Sequence, residues 1–421
     1  MGPIRGRPLR LLAATAAVVS AALTLTLPAS TPALDHGDGP ARSVIFINGD
    51  GMSAAHREAA RLYLAGRDGQ LVMDRLAVSG QLSTTPHDPA AVTDSAAAAT
   101  AWATGVKTRN GAISVDADGR PLPPLGLRAK AAGKSTGLVT TDQVTGASPA
   151  AWFAQTADRS AQDEIARQYL EVGKPDVILG GGEDWWLPAG APGAWPDRPA
   201  EDPGEASRGT EGDLIERAEK AGYQHISTAR ELARVTRGKV LGLFANEEMF
   251  QQRPEGRGDV YSPAVDLAAM TAKALDILGA NEKGFFLFVE EEGIDEFAHE
   301  NNGARVLQAM ASLDKAVRVA RAYVAAHPDT LLVVTGDHDS GGLTVEDASN
   351  GDESGGGPPR RDGPFPVRGS ALRFVMDWTT TGHTGVDVPV TAEGPLSALF
   401  TGKHPNTHVH QVLSRVLASH R

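Results

Sequence analysis

Short apolar, β-branched runs recur along this chain, and each ends in glycine or a charged residue before a stretch of helix formers. The run 43–48, Ser-Val-Ile-Phe-Ile-Asn, stops at Gly49-Asp50-Gly51-Met52, and a helix is predicted from Ser53 to about Leu64. An Ala-rich stretch after Asp94 and Ser95 closes at Gly105, the pattern of a short capped helix. Residues 134–141 read as the next strand. Gly146-Ala-Ser-Pro-Ala150 opens a helix with Ser148 as N-cap and Pro149 at its first position, which places Arg159 at the far end of that helix. Residues 176–179 and 239–244 read as strands, and 211–221 and about 263–279 as helices. Residues 285–289 and 330–335 read as buried strands, and a last strand spans 372–376. No internal repeat is visible. Strands alternating with helices, with polar residues at the strand ends, predict an α/β fold: a three-layer α/β/α sandwich around a mainly parallel central sheet.

Three stretches depart from this alternation. Residues from about 183 to 210, rich in Pro, Gly, Trp and acids, and from 346 to 368, rich in Gly, Pro and charge, are expected as irregular insertions. The tryptophans of the first are expected to anchor it. At the N-terminus, Arg5, Arg7 and Arg10 precede an apolar stretch from 11 to about 27, and small residues and prolines follow through Ala33. This describes a secretory signal peptide over 1–33, leaving 34–421 as a single domain. The apolar run is at the short limit for a bilayer span, so the expectation is a secreted protein with no membrane attachment after cleavage.

Composition adds two constraints. The chain has no cysteine, so an exported protein of this length must rely on its core and on bound metal rather than on disulfides. A net charge of −12 argues against nucleic acid as a dedicated partner. It leaves an anionic substrate open, because a metal cluster reverses the local field.

The strand ends carry the candidate chemistry. Ser95 sits at a predicted helix N-terminus, where free N–H groups and the macrodipole favour an anion. Asp50 follows the first strand, and Glu290 follows 285–289. Asp295 and His299, four apart, share one helical face. The adjacent Asp337-His338 can approach one ion from two directions, and His383 lies open between glycines. Arg159 offers a planar fork for two phosphate oxygens. His404, His408 and His410 lack an acid partner in the same pattern and read as surface residues. Carboxylates and imidazoles without thiolates suit zinc, with magnesium where only oxygens are available. Two metals, a serine nucleophile and an arginine clamp fit in-line phosphoryl transfer.

Five motifs, in order, make the chain resemble the alkaline phosphatase family: Gly49-Asp-Gly-Met52, Thr93-Asp-Ser-Ala-Ala97, Val289-Glu290 with Ile294-Asp295 and His299, Thr335-Gly-Asp-His338, and Thr381-Gly-His-Thr384. The resemblance runs from about Ser43 to Val416. It implies a phosphomonoesterase in which Ser95 is transiently phosphorylated and Arg159 grips the phosphate. It further implies one zinc held by Asp295, His299 and His383, and another by Asp50, Asp337 and His338. A third, magnesium-type site is implied at Asp50, Glu290 and Ser148, with an acid or His two residues before that serine. Here that position is Gly146, and Glu291 stands where the family typically has Gly. The expectation is therefore a third site that is weakened, or rebuilt with Glu291 or extra water. Family members are often dimers, so a homodimer is among the assemblies implied. The alternatives weighed are a phosphodiesterase on a related metal site, a sulfatase, disfavoured by the absent cysteine, and a non-catalytic binder of phosphate or zinc, for which Ser95 would be superfluous.

Overall fold

The structure is a computed structural model that describes Gly2 and residues 41–87, 89–195, 206–250, 260–349 and 361–418. The export signal read at 1–33, Gly2 apart, lies outside the described residues. No helix among the described residues is long and apolar enough to cross a membrane.

Ten strands form the central sheet, in the spatial order Gly402–Pro405, Val78–Ser83, Val388–Glu393, Thr330–Thr335, Ser43–Gly49, Phe285–Glu291, Ser135–Gln143, Val177–Gly181, Lys239–Leu243 and Tyr223–Ile226. Only Val388–Glu393 runs against its neighbours, so the sheet is mainly parallel as expected. Its central strands are apolar at almost every position because both faces are covered. Ile45, Ile47, Leu287, Val289, Leu332 and Val334 face one core, which includes the helices Leu267–Leu278 and Gly303–Ala326. Val44, Phe46, Phe286, Phe288, Leu331 and Val333 face the other, packed with the helices Ser95–Thr104 and His408–Leu417. The Ser95 helix is tied to the sheet by aromatic contacts. Phe46 lies edge-on to Trp102 with ring centroids 5.0 Å apart and tilts against Trp152 at 5.4 Å.

Several elements differ from the sequence expectation. Gly146, not Ser148, caps the short helix Ala147–Ala150, because the turn after the strand closes one residue pair earlier than the Ser-Pro signal suggests. Arg159 therefore lies in the loop beyond that helix, where its backbone N–H donates to Gly111 O at 2.9 Å. The segment 346–368 is bordered by strands: Leu343–Asp347 and Arg361–Pro366 flank Arg373–Trp378 in a separate three-stranded antiparallel sheet. That last strand is thus not part of the central sheet. The part of this segment at 350–360 lies outside the described residues, as does 196–205 of the other irregular stretch. The tryptophans there do anchor the chain: Trp195 Nε1 donates to Leu243 O at 3.0 Å, and Trp185 Nε1 donates to Gln143 Oε1 at 2.5 Å.

Replacing the fully buried Phe46 by Ala is expected to cost about 3–5 kcal/mol of unfolding free energy, the usual range for a large-to-small core change. Chemical denaturation of the two proteins measures it. A loss below 1 kcal/mol would mean that the aromatic cluster does not hold the Ser95 helix to the sheet.

Candidate functional site

The chemistry sits where parallel strands end, at the C-terminal edge of the sheet. Four adjacent central strands deliver it: Asp337 and His338 follow Thr330–Thr335, Asp50 follows Ser43–Gly49, Glu290 to Glu292 close Phe285–Glu291, and Asp142 belongs to Ser135–Gln143. Register fixes their relative heights, since Thr335, Asn48, Glu290 and Thr140 lie level across the sheet. Asn48 Nδ2 donates to Glu290 Oε1 at 3.1 Å and Thr140 Oγ1 donates to Glu290 Oε2 at 2.8 Å. Gly51 carries the chain across this edge at φ +70°, and a Cβ there would lie 2.7 Å from Asp295 Oδ1. No other residue type fits that turn without displacing the aspartate.

Asp295, His299 and His383 present ligand atoms that all lie within 4.8 Å of one another. Asp295 and His299 come from one face of the helix Gly293–His299, as their spacing required. His383 arrives differently, through a two-residue antiparallel pairing of His383–Thr384 with Asp339–Ser340. Each histidine donates Nδ1–H to a carbonyl: His299 to Thr381 O at 2.5 Å, and His383 to Thr93 O at 3.0 Å. A carbonyl can only accept, so both Nε2 atoms are left to face inward, 3.3 Å apart, towards Asp295. That tautomer is the one a metal-ligating histidine adopts.

Asp50, Asp337 and His338 form the second group within the same span. Asp337 Oδ1 accepts from the backbone of Gly51 and of His338, each at 3.0 Å, which leaves Oδ2 buried and without a hydrogen bond, facing the His338 ring. Asp50 Oδ1 is likewise buried and without a hydrogen bond. His338 Nε2 lies 3.1 Å from Asp337 Oδ2 and 3.3 Å from Ser95 Oγ, so the predicted nucleophile adjoins this group. Asp94, just before Ser95, caps the helix by accepting from Ala97 N at 2.9 Å, while its other oxygen lies 3.4 Å from Arg159 Nη1. Ser95, Asp94 and Arg159 are brought together.

Of the third-site residues, Ser148 Oγ lies 3.4 Å from Asp50 Oδ2, and Glu290 is fully buried. Glu291 is not part of the cluster. Its strand turns it to the opposite face, where Tyr261 OH and Thr141 Oγ1 donate to it at 2.6 and 2.9 Å. The expected rebuilding through Glu291 is therefore corrected: Asp142 and Glu292, not singled out from sequence, stand with Glu290 instead. Asp142 belongs to a parallel strand's C-terminal end as Asp50 follows one, a signal that could have drawn attention to it. His404 and His408 stack on each other at 4.0 Å, far in sequence from any acid of the cluster.

Buried like charges perturb this site strongly. Burial first, then Asp337, Asp295 and Glu290, push Asp50 well above the usual carboxylate range. Burial raises Glu290 to about 7. Burial and Asp295 also raise Glu296 to about 7. Burial opposes the charge of Asp295 too, yet His299 and His383 hold it well below its usual value. The hydrogen bond to Asp295 raises His299 to about 9. Orphaned carboxylate oxygens, inward-facing imidazole nitrogens and mixed nitrogen–oxygen donors fit two zinc-type ions with open coordination positions.

The model of the alkaline phosphatase family matches residues 41–354. The chain is 36% identical to a streptomycin-6-phosphate phosphatase of Streptomyces griseus, over 95% of this chain and 96% of that one. Among solved structures, a cold-active alkaline phosphatase of a psychrophilic Shewanella species superposes with a TM-score of 0.72 at 34% identity, covering 90% of this chain and all 100% of that one. A variant of the TAB5 alkaline phosphatase with Mg bound in its M3 site gives a TM-score of 0.70 at 25% identity, covering 90% and 98%.

The raised acids and histidine fix the sign of a pH dependence. Glu290 and Glu296 bind protons more tightly in the folded chain than when unfolded, so their contribution is present at low pH and lost as pH rises through about 7. The contribution of His299 is lost as pH rises through about 9. Metal removes the need for those protons. The melting temperature of zinc-loaded protein minus that of chelator-stripped protein is therefore expected to widen from pH 5 to pH 9. A gap independent of pH would contradict the coupling.

Proposed function

As a member of the alkaline phosphatase family this chain is a phosphomonoesterase, and from that premise we propose that it acts through a phosphoserine at Ser95, with two zinc ions held by Asp295, His299 and His383 and by Asp50, Asp337 and His338. The observation that carries this reading is the position of Ser95 Oγ, 3.3 Å from His338 Nε2 and at the N-terminus of its own helix. Bound at the two groups, zinc supplies Lewis acidity that favours an ionised serine and offsets charge on the leaving oxygen.

The remaining steps belong to the chain's own groups. Ser95 Oγ attacks phosphorus while the ester oxygen departs from the opposite side, and water then cleaves the serine–phosphorus bond to release inorganic phosphate. Before substrate binds, the Asp94 carboxylate holds the Arg159 guanidinium beside the nucleophile. Half-exposed, Arg159 can turn its fork to two of a monoester's three free oxygens, which leaves the third for the metal groups; a diester has only two in all. The helix N-terminus adds a favourable field for the same dianion. We take residues 1–33 as an export signal and the mature protein as secreted, which the N-terminal sequence of protein recovered outside the cytoplasm tests. The name of the Streptomyces griseus relative makes streptomycin 6-phosphate a candidate substrate beside simple monoesters.

Hydrolysis of p-nitrophenyl phosphate by zinc-loaded protein tests the central assignment. Ser95→Ala is expected to lower kcat by about 10³-fold or more, as loss of a nucleophile does. Arg159→Ala is expected to weaken substrate and phosphate binding by about 10- to 100-fold, the loss of a charge-assisted contact of about 1.5–3 kcal/mol. Turnover that survives Ser95→Ala would refute the phosphoserine, and a wild type inert towards monoesters but active on diesters would move the assignment to a phosphodiesterase.

A further inference from the structure

Gly146 needs no glycine for its backbone. Its φ of −53° and ψ of 163° are open to any residue, so the demand at this position is for space. An added Cβ would lie 1.8 Å from Asp142 Oδ2 and 2.9 Å from its Cγ. The Asp142 carboxylate therefore occupies the volume that a side chain at 146 would fill, and the two are mutually exclusive.

That carboxylate is aimed at two others. One oxygen each of Asp142, Glu290 and Glu292 lies within 4.8 Å of the others. Glu290 is held from both sides by Asn48 and Thr140, and the Thr140 hydroxyl also accepts from Asp142 N at 2.9 Å, so one threonine sets both acids. Glu292 is placed through its own backbone N–H, which donates to Thr141 Oγ1 at 3.0 Å. Its side chain is only 7% exposed, and the cation that feels its charge is Arg159, which feels Asp94 more strongly. It faces Asp50, Asp142, Glu290 and Asp295. The guanidinium of Arg159, the cation of this region, is paired with Asp94. A buried carboxylate set among like charges, its neighbouring cation already paired with another acid, is a costly arrangement unless a further cation completes it.

We propose that this chain builds its third cation site from Asp142, Glu290 and Glu292, with Asp142 taking the place that Gly146 leaves vacant. The assignment rests on the two-zinc phosphatase reading for its context. An all-oxygen donor set selects a hard divalent cation of the magnesium class rather than zinc, and Ser148, beside Asp50, lies next to the cluster as a further neutral oxygen. The two zinc groups keep their own three ligands each, since Asp142 belongs to neither and Glu292, although it also lies near Asp50 and Asp295, is not one of the three in either.

The test reads metal, not turnover. Zinc-loaded protein is titrated with MgCl₂ by calorimetry, and its bound zinc and magnesium are counted by elemental analysis after dialysis. The wild type is expected to hold magnesium beyond its two zinc ions. Asp142→Asn and Glu292→Gln are each expected to weaken magnesium about 10- to 100-fold or more with zinc retained, the scale of losing a ligand or its close support. Gly146→Ala is the most telling variant: it deletes no ligand and suits the backbone, yet it must evict the Asp142 carboxylate and so weaken magnesium comparably. Magnesium affinity unchanged in Gly146→Ala and Asp142→Asn, or a wild type with no magnesium beyond zinc, would overturn the proposal. Because these readouts need no substrate, they are separable from the Ser95→Ala assay on which the phosphatase reading depends.

Discussion

Buried like charge is the constraint on which the rest of this structure depends. Asp50, Glu290, Glu292, Asp295 and Asp337 are all nearly inaccessible to water, and Asp142 is close to it. A single unpaired carboxylate in such a place would take up a proton rather than stay ionised. Six together are tolerable only on a rigid frame whose own donors satisfy part of the charge and whose geometry leaves the rest to cations. The parallel sheet is that frame. Its level row of Thr335, Asn48, Glu290 and Thr140 converts strand register into the position of a carboxylate, and the Gly51 turn gives Asp337 the backbone donors it needs.

The same frame explains why both faces of the sheet must be covered. The strands that carry the acids are held by two apolar cores rather than one. Phe46 on one face and Ile45 and Ile47 on the other belong to the strand that ends in Asp50. Core packing and site geometry are therefore one problem: a shift of that strand would move Asp50 relative to both Asp337 and Asp295.

Much of this was legible in the sequence, for reasons that can be named. Asp295 and His299 share a helical face because 3.6 residues make a turn, and Asp50 and the Asp337-His338 pair are exposed by the strands that end just before them. Asp94 and Gly105 mark the Ser95 helix because each satisfies a terminus. What was not legible depended on contacts between distant segments. His383 was marked by its motif, but its route to the site, a two-residue pairing with Asp339–Ser340, is encoded by no local pattern. The strand Val388–Glu393 contains Pro389 and runs against its neighbours, so it reads poorly as part of a parallel sheet. The motif marks Glu290, but nothing on paper says which of Glu291 and Glu292 joins it. Only the pleat of the strand sends Glu290 to one side and Glu291 to Tyr261 on the other.

The separation of Glu290 from Glu291 also shows how one edge can keep three groups of ligands distinct. Thr140 and Thr141, adjacent on the neighbouring strand, point to opposite faces and each fixes one of those acids, so neither can stray into the other's place. Glu292 and Asp295 each stand in two groups, and so does Asp50. It stands with Asp337 and His338 in one group and with Glu292 and Asp295 in another, and its nearest charged neighbours come from every cluster. A charge that is shared in this way couples the groups: a cation arriving at one lowers the cost of ionising Asp50 for the others. Occupancy of the groups is thus linked through shared acids, and foremost through the aspartate at the tip of the first strand, one residue before the glycine that must turn beneath Asp295.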